Sequence, residues 1–174
     1  MLRLLLDIGN TRLKWAIAHS TKIVERGAVT THLSSIPSAL EQISEQVRRL
    51  NLGALDSAIV CSVGPSDVLE RLIAQANQQF GFDPSVIDVT RSACGVVNQY
   101  DDISSLGVDR WVAIIGARQS QGNHATVVVD AGTAITVDYL SADHLYLGGV
   151  IFPGDRLLQE ALVSNTAKIK ALPI

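Results

Sequence analysis

The stretch that decides the fold is Leu4-Leu5-Leu6-Asp7-Ile8-Gly9-Asn10-Thr11-Arg12-Leu13-Lys14-Trp15. Its first part is an apolar run of the kind found in strands that are covered on both faces. After Gly9, apolar and polar residues alternate, which predicts a second strand that returns antiparallel to the first. Asp7 therefore lies near the tip of a hairpin. At that tip Gly9 lets a ligand approach the backbone, and Asn10 and Thr11 offer amide and hydroxyl donors. These residues suit phosphate binding beside a carboxylate, although an ordinary Asx turn would use the same residue types.

A second copy of this pattern occurs later in the chain, as Val127-Val128-Val129-Asp130-Ala131-Gly132-Thr133-Ala134. It again places an aspartate after a β-branched apolar run, then a glycine and a hydroxyl residue, and a further strand is predicted over 135–140. The repetition indicates an internal duplication. Two such tips facing one another would be able to hold a phosphate chain and its metal ion, because Mg²⁺ prefers carboxylate and phosphate oxygens.

Hydrophobic periodicity predicts the remaining elements of each half. For the first half they are a strand over 22–31, a helix from Pro37 closed by Gly53, a strand over 57–63, a helix from Pro65 to Gly81 and a strand over 85–89. For the second half they are strands over 125–129, 135–140 and 144–152, and a helix over 155 to about 171. The segment 91–106, with few periodic apolar positions, is interpreted as a functional loop that leads into a helix beginning near Gly107. Val108, Trp111, Val112 and Ile115 are predicted on the packed face of that helix.

The order of these elements is that of a ribonuclease H-like unit, βββαβαβ, with a mixed sheet and right-handed crossover helices. We therefore expect an α/β protein of two ribonuclease H-like halves, at 1–118 and 119–174. The second half is expected to be incomplete, because a strand, a helix and a further strand would have to follow. The strand that ends at Asp130 would then have one unpaired edge, which favours aggregation.

Composition narrows the class of protein. The 174 residues are 47% hydrophobic with a formal charge of −3, as in a folded globular chain. There is no basic stripe for nucleic acid, and the apolar runs are too short to span a bilayer. A cytoplasmic protein without a nucleic-acid or membrane partner is expected. Neither the two cysteines nor the four histidines have metal-ligand spacing. A P-loop and a Gly-x-Gly-x-x-Gly dinucleotide motif are both absent from the sequence.

Four motifs in order resemble those of the type III pantothenate kinases, and the similarity covers the whole sequence. The motifs are Asp7-Ile8-Gly9-Asn10-Thr11-Arg12-Leu13-Lys14, Gly107-Val108-Asp109-Arg110-Trp111, Asp130-Ala131-Gly132-Thr133-Ala134 and Gly148-Gly149-Val150-Ile151-Phe152-Pro153-Gly154. That family belongs to the actin, hexokinase and Hsp70-like ATPase superfamily. The resemblance implies ATP-dependent phosphorylation of pantothenate to 4′-phosphopantothenate, the first step toward coenzyme A. It also implies a homodimer that uses Mg²⁺ and a monovalent cation, either K⁺ or NH₄⁺.

The resemblance also implies roles for the residues at the two tips. Asp7 would hold Mg²⁺, and residues 8–14 would contact the phosphates of ATP, with Lys14 supplying a point charge. Asp130 would hold the monovalent cation and Thr133 would contact phosphate. Each residue has a simpler interpretation as well. Asp7 would cap a hairpin, Lys14 would be a solvated strand residue and Thr133 would be an ordinary turn hydroxyl.

The resemblance also implies which residues bind the acceptor, pantothenate: Tyr100, Gly107, Val108, Asp109 and Arg110. Asp109 resembles the catalytic base that takes the proton of the pantothenate hydroxyl, and its place in the first turn of a helix favours the ionised form. Arg110 would bind the substrate carboxylate with a two-pronged contact. The alternatives are a carboxylate that only stabilises the helix dipole, a surface Asp-Arg pair and a tyrosine that serves for packing.

The glycines at 148, 149 and 154 permit close backbone approach, either to a ligand or within plain turns. Two other functions stay open from the sequence. One is a related small-molecule kinase on the same scaffold, and the other is a non-catalytic regulatory or binding protein.

Overall fold

The structure is a computed structural model that describes residues 1–165. The chain forms two compact units, Met1–Asp88 and the part from Val89 onward. The boundary that the sequence suggested, between residues 118 and 119, falls inside a helix of the second unit.

The first unit is a five-stranded mixed sheet with two helices. Its strands are β1 (Leu2–Ile8), β2 (Arg12–His19), β3 (Lys22–Thr30), β4 (Ser57–Ser62) and β5 (Ser85–Val86), and its helices are α1 (Ile36–Leu50) and α2 (Ser66–Phe80). The strand order is β3-β2-β1-β4-β5. The β1–β2–β3 meander is antiparallel, whereas β4 is parallel to β1 and to β5. The predicted element order is confirmed, with two elements shorter than expected. Helix α1 ends at Leu50 because Asn51 takes the left-handed conformation, so Gly53 lies beyond the helix, and the strand predicted over 85–89 covers only Ser85–Val86.

The core of the first unit lies between this sheet and its two helices. Leu2, Leu4, Leu6 and Ile8 of β1 are at most 4% exposed and pack with the apolar faces of α1 and α2. Burying a side chain of this size stabilises the fold by about 1.5–3 kcal/mol. The intervening residues of β1 are half-buried, so Asp7 reaches the surface at the end of a firmly anchored strand.

The second unit repeats the three-stranded meander. Its strands are β6 (Ser92–Ala93), β7 (Val96–Asn98), β8 (Thr126–Ala131), β9 (Ala134–Leu140) and β10 (Leu145–Pro153), and its helices are α3 (Val108–Gln121) and α4 (Asp155–Asn165). The sheet order is β6-β7-β10-β9-β8. The segment 91–106, for which the sequence indicated a functional loop, contains two short strands. This segment forms the β6–β7 hairpin, and β7 joins the sheet parallel to β10. A strand of three residues is too short for its alternation to be recognised.

Helix α3 covers one face of the second sheet. Trp111 and Ile114 pack there with Val96, Leu106, Leu140 and Tyr146. The predicted packed face of α3 is confirmed for Val108 and Trp111, which are buried, and for Ile115, which packs against the core while partly exposed. Val112 is only partly buried, and Arg110 is among the buried residues.

The opposite face of the second sheet is exposed among residues 1–165. We call it the apolar face; it consists of Val127, Val129, Val150 and Phe152, which are between 51% and 60% exposed. Val127 and Val129 correspond in the duplicated pattern to Leu4 and Leu6, which are buried. The repeated pattern predicted that the strand ending at Asp130 would be covered on both faces, but within residues 1–165 the face of β8 with Val127 and Val129 is exposed. Strand β8 is an edge strand of the described sheet. Helix α4 has no buried residue up to Asn165, and its predicted continuation to about residue 171 lies outside the described residues.

Within residues 1–165, no helix is long and apolar enough to cross a membrane.

Candidate active site

The tip of the first unit presents Asp7 beside Lys14. The two residues are paired in register across β1 and β2, and Lys14 Nζ lies 3.2 Å from Asp7 Oδ2. The Lys14 side chain is 57% exposed and the Asp7 side chain is 39% exposed. An ion pair so open to water contributes little to stability. Both groups are thus accessible to a ligand with phosphate oxygens and a cation.

The turn after Asp7 is held by its own backbone and by the end of β3. Gly9 N donates to Arg12 O at 3.0 Å, and Thr31 N donates to Thr11 O at 2.9 Å. Thr31 Oγ1 also donates to Gly9 O at 2.8 Å. These contacts fix the backbone that the sequence predicted for phosphate binding.

Gly64, which sequence reasoning missed, packs directly against this turn. The amides of Val63 and Gly64 both donate to Ile8 O, at 2.9 and 3.0 Å. A Cβ at Gly64 would lie 2.8 Å from Gly9 O, too close for any side chain. In the sequence, the only indication of this contact was the position of a glycine between the strand at 57–63 and Pro65.

The tip of the second unit repeats this design with Asp130 exposed at the end of β8. Gly132 N donates to Ala134 O at 2.9 Å, and Gly154 N donates to Thr133 O at 3.0 Å. A Cβ at Gly154 would collide with Gly132 O and would lie 2.8 Å from Thr133 O. The absence of a side chain at Gly154 therefore lets the start of α4 lie against the turn that carries Thr133.

Asp109 stands in the first turn of α3, as predicted, and is half-buried. Its Oδ1 accepts a hydrogen bond from Arg110 N at 2.8 Å. Gly107 precedes the helix in an extended conformation, and Val108 belongs to the buried apolar set. The carboxylate of Asp109 is thus oriented by the helix start.

Arg110 is 7% exposed, and its partner is Asp138 of β9, which is 2% exposed. Arg110 Nε donates to both carboxylate oxygens at 3.2 and 3.1 Å, and Nη2 donates to Oδ1 at 2.5 Å. Tyr146 Oη donates to the same Oδ1 at 2.5 Å. The alternative of a surface pair between Asp109 and Arg110 is therefore wrong, since Arg110 pairs with Asp138 inside the unit.

This network keeps Arg110 charged and Tyr146 neutral. The hydrogen bonds that Arg110 donates to Asp138 raise the pKa of the guanidinium above its already high value. Burial, and next the hydrogen bond to Asp138, raise the pKa of Tyr146 well above its usual value near 10. Asp138 and Tyr146 were not identified from the sequence. The signal for Asp138 was a charged residue inside the apolar strand at 135–140.

Tyr100 lies against this network. Arg110 Nη2 donates to Tyr100 Oη at 3.3 Å, and the Tyr100 ring stacks on Tyr146 with centroids 5.6 Å apart. Its backbone is fixed by Arg91, whose Nη1 donates to Tyr100 O at 2.6 Å. The side chain of Tyr100 is thus both packed and hydrogen-bonded beside Arg110.

The glycine pair at 148 and 149 makes room for these side chains. Gly149 is opposite Asp138 in the β9–β10 register. A Cβ at Gly149 would collide with Asp138 Oδ1 and would lie 2.8 Å from Arg110 Nη2. Gly148 has φ +118°, and a Cβ there would lie 3.5 Å from the Tyr100 ring. The two glycines therefore allow side chains of the protein itself, those of Asp138, Arg110 and Tyr100, to approach the backbone closely.

Asp7 and Asp130 are the candidate ligands for a cation. Within residues 1–165 no three His, Cys, Asp or Glu side chains are grouped as metal ligands. Asp7 and Asp130 instead lie singly at the two tips. Mg²⁺ in nucleotide sites is commonly held by one or two carboxylates plus phosphate oxygens and water. A single exposed carboxylate beside a phosphate-binding turn fits that mode.

The two mixed five-stranded sheets, each with an antiparallel meander that carries an aspartate at its first turn and each flanked by helices, define the class of protein as an α/β protein with a duplicated sheet. Two solved structures share this fold. The ethanolamine utilization protein EutJ from Carboxydothermus hydrogenoformans matches with a TM-score of 0.56 and 10% identity, over 94% of this chain and 56% of that one. A Campylobacter jejuni protein described as a Baf family transcriptional activator matches with a TM-score of 0.54 and 22% identity, over 97% of this chain and 63% of that one. At these identities the likeness shows the fold alone.

Sequence comparison gives the family. The profile of type III pantothenate kinases matches residues 3–174. The type III pantothenate kinase of Aromatoleum aromaticum is 37% identical over 166 residues, which cover 95% of this chain and 64% of the relative. That of Halorhodospira halophila is 37% identical over 183 residues, covering 99% and 68%. The chain belongs to the type III pantothenate kinase family, and it spans about two thirds of the length of these relatives.

Proposed function

We propose that this chain carries the acceptor site and the phosphate-binding turns of a pantothenate kinase. The reaction transfers the γ-phosphoryl group of ATP to the primary hydroxyl of pantothenate, giving 4′-phosphopantothenate and ADP, at the first step toward coenzyme A. Family membership supports the substrate, and the site geometry supports the assignment of residues.

One observation carries the proposal. Tyr100 and Arg110, which the resemblance assigns to pantothenate, come from separate elements of the second unit and are joined by a hydrogen bond of 3.3 Å. Asp109 is the neighbour of Arg110 in the first turn of α3. A base, a cation and a phenol are thereby held in one part of the unit, as an alcohol that carries a carboxylate would require.

In the proposed reaction the pantothenate hydroxyl oxygen forms a bond to the γ-phosphorus as the bond from that phosphorus to the bridging oxygen breaks. Asp109 accepts the proton of the hydroxyl. A carboxylate is a weak base, but in a loose transition state the proton leaves late, and orientation of the hydroxyl contributes more. Arg110 orients the substrate through its carboxylate, and Tyr100 lies against the bound chain.

On the donor side, Asp7 holds Mg²⁺ in this proposal and Lys14 contacts phosphate. Residues 8–13 and Thr133 supply further donors to the phosphate oxygens, and Asp130 holds a monovalent cation, K⁺ or NH₄⁺. Bound Mg²⁺ supplies neutralisation of phosphate charge. The chain's own contribution is to position the phosphates and to place Asp109 beside the acceptor hydroxyl.

We also propose a cytoplasmic location and a symmetric homodimer formed through the second unit. The family resemblance supports both. Exposure of the apolar face, Val127, Val129, Val150 and Phe152, supports an association that involves this unit. Sedimentation over a range of concentrations tests the dimer.

The test is a coupled assay of ADP release with ATP, Mg²⁺, K⁺ and pantothenate. Asp109→Asn should reduce kcat by about 10²–10⁴-fold, because it removes the proton acceptor while keeping the shape. Asp143→Asn, an exposed aspartate in the β9–β10 turn, is the matched control and should keep full activity. Calorimetric titration with pantothenate accompanies the assay. Binding without turnover in the unaltered chain would favour a binding protein, and full activity in Asp109→Asn would contradict the assigned base.

A further inference from the structure

Asp138 is the buried carboxylate that accepts hydrogen bonds from Arg110 and Tyr146. We propose that Asp138 is the positioning residue of the acceptor site: it holds the Arg110 guanidinium so that a substrate carboxylate meets Nη1. This inference rests on the proposed function. It adds a residue that neither the sequence motifs nor the family comparison identified.

The hydrogen bonds of Arg110 decide which of its donors can reach a ligand. Nε and one N–H of Nη2 are directed at Asp138, and Nη2 also donates to Tyr100 Oη. No hydrogen bond from Nη1 occurs within the described residues. The edge of the guanidinium formed by Nε and Nη2, which can bind a carboxylate through two parallel hydrogen bonds, is thus occupied by Asp138. A substrate anion is left with the donors on Nη1.

Two effects of Asp138 oppose one another. Its negative charge offsets that of Arg110 and weakens the attraction to a second carboxylate. Its hydrogen bonds, however, keep the guanidinium at a site where only 8% of the side chain is exposed. An unpaired charge at such a position is strongly unfavourable, so without Asp138 the flexible side chain would turn toward water. Orientation therefore outweighs charge, and loss of Asp138 should weaken substrate binding.

The surroundings of Asp138 prevent it from moving. Tyr146, which is fully buried, donates to its Oδ1 and packs against Trp111 with ring centroids 6.4 Å apart. Gly149 lies opposite on β10, and its missing side chain leaves the space that the carboxylate fills. Asp138 is consequently a fixed point set by the sheet.

From this fixed point the constraint reaches the other residues of the acceptor site. The Nη2 group that binds Asp138 also holds Tyr100 Oη, and Asp109 is the next residue along α3 from Arg110. The position of one carboxylate on β9 thus constrains the side chains of Arg110, at the start of α3, and of Tyr100, in the preceding loop.

The test compares steady-state kinetics of the unaltered chain with Asp138→Asn. The KM for pantothenate should rise on the order of tenfold, as expected for loss of a hydrogen-bonded charge partner. The KM for ATP should stay within about twofold, since Asp138 bonds to Arg110 and Tyr146 and neither residue is assigned to phosphate. Asp143→Asn is again the matched control, and it should leave both constants unchanged. A purely structural role would lower the amount of active protein and leave both KM values as they are.

Tyr146→Phe is the second variant, because it keeps the ring and removes only the hydroxyl that holds Asp138. It should raise the KM for pantothenate by roughly threefold, and it carries the test should Asp138→Asn fail to fold. Unchanged KM values for pantothenate in a folded Asp138→Asn protein, or in Tyr146→Phe if that variant alone folds, would overturn the inference.

A spectroscopic measurement separates this inference from the proposed function. The Arg110 Nε–H resonance, assigned with Arg110→Lys, should exchange slowly with water in the unaltered chain and rapidly in Asp138→Asn. If the unaltered chain does not turn over pantothenate, the proposed function is refuted. If in that case the Arg110 Nε–H still exchanges slowly in the unaltered chain and rapidly in Asp138→Asn, the anchoring of Arg110 by Asp138 is nevertheless supported. Slow exchange that persists in Asp138→Asn would refute the positioning role whatever the activity.

Discussion

Replacement of Gly149 by alanine should break the second unit at the Arg110–Asp138 pair. The new methyl group would collide with Asp138 Oδ1 and Val137 O and would lie 2.8 Å from Arg110 Nη2. Backbone strain plays no part, because the φ of Gly149 lies outside the left-handed region. The effect is therefore steric and falls on two side chains that hold each other in a buried site.

The magnitude follows from what must move. Overpacking of a well-filled site by one methyl group costs about 1–3 kcal/mol. Separation of a buried ion pair costs about 3–5 kcal/mol, because each charge loses its partner without gaining water. Both side chains are hemmed in by Tyr146 and the sheet, so we expect a loss of about 3–5 kcal/mol. That is a large share of the 5–15 kcal/mol typical of a whole domain.

The matched control is Gly116→Ala in α3. A Cβ there meets nothing within 4 Å, and the helix gains about 0.5–1 kcal/mol when glycine becomes alanine. The two substitutions add the same methyl group to the same unit and should act with opposite sign.

Unfolding of the two units can be followed separately because the sequence has two tryptophans, one in each. With 5-fluorotryptophan, the ¹⁹F resonance of Trp111 reports the second unit and that of Trp15 reports the first. Urea titration should shift the Trp111 transition in Gly149→Ala and leave the Trp15 transition in place. A free energy of unfolding within about 0.5 kcal/mol of the unaltered chain would refute the steric reasoning.

Three further outcomes are expected. Gly64→Ala should destabilise the first unit by about 1–3 kcal/mol and weaken ATP binding in a calorimetric titration, because its Cβ would displace the turn at Gly9; an unchanged affinity for ATP would contradict this. The pKa of Tyr146 is higher in the folded chain than in the unfolded chain, where it is about 10. The neutral Tyr146 hydroxyl therefore stabilises the fold fully below about pH 10. Above that pH the unfolded chain loses the proton while the folded chain keeps it, so this stabilisation decreases as the pH rises. Urea unfolding from pH 8.5 to 11.5 should accordingly show a slope for the unaltered chain that is steeper than for Tyr146→Phe by up to about 1.4 kcal/mol per pH unit, and parallel curves would exclude the effect. Val129→Lys should reduce self-association in sedimentation experiments at little cost in stability, since Val129 is 60% exposed on an edge strand; an undiminished tendency to associate would show that the apolar face is not involved.

The sequence alone determined most of the local architecture. The apolar run into Asp7, its repetition before Asp130 and the helical periodicities each depend on residues a few positions apart. Backbone geometry converts such spacings directly into strands, turns and helix faces. The two meanders, the helices and the placement of Asp109 in the first turn of α3 could therefore be predicted. The motif set also indicated the family, which the comparisons confirmed.

Tertiary structure decided which groups meet. Arg110 and Asp138 are 28 residues apart and touch only because α3 packs on the face of the sheet that carries Asp138. The role of Gly149 depends on the β9–β10 register, and that of Gly64 on the way the end of β4 reaches the first turn. Spacing along the chain contains no information on such contacts. Burial likewise belongs to the assembled unit. Val129 matches Leu6 in the repeated pattern, yet within residues 1–165 Val129 is exposed and Leu6 is buried, because helices pack over Leu6 and no described helix packs over Val129.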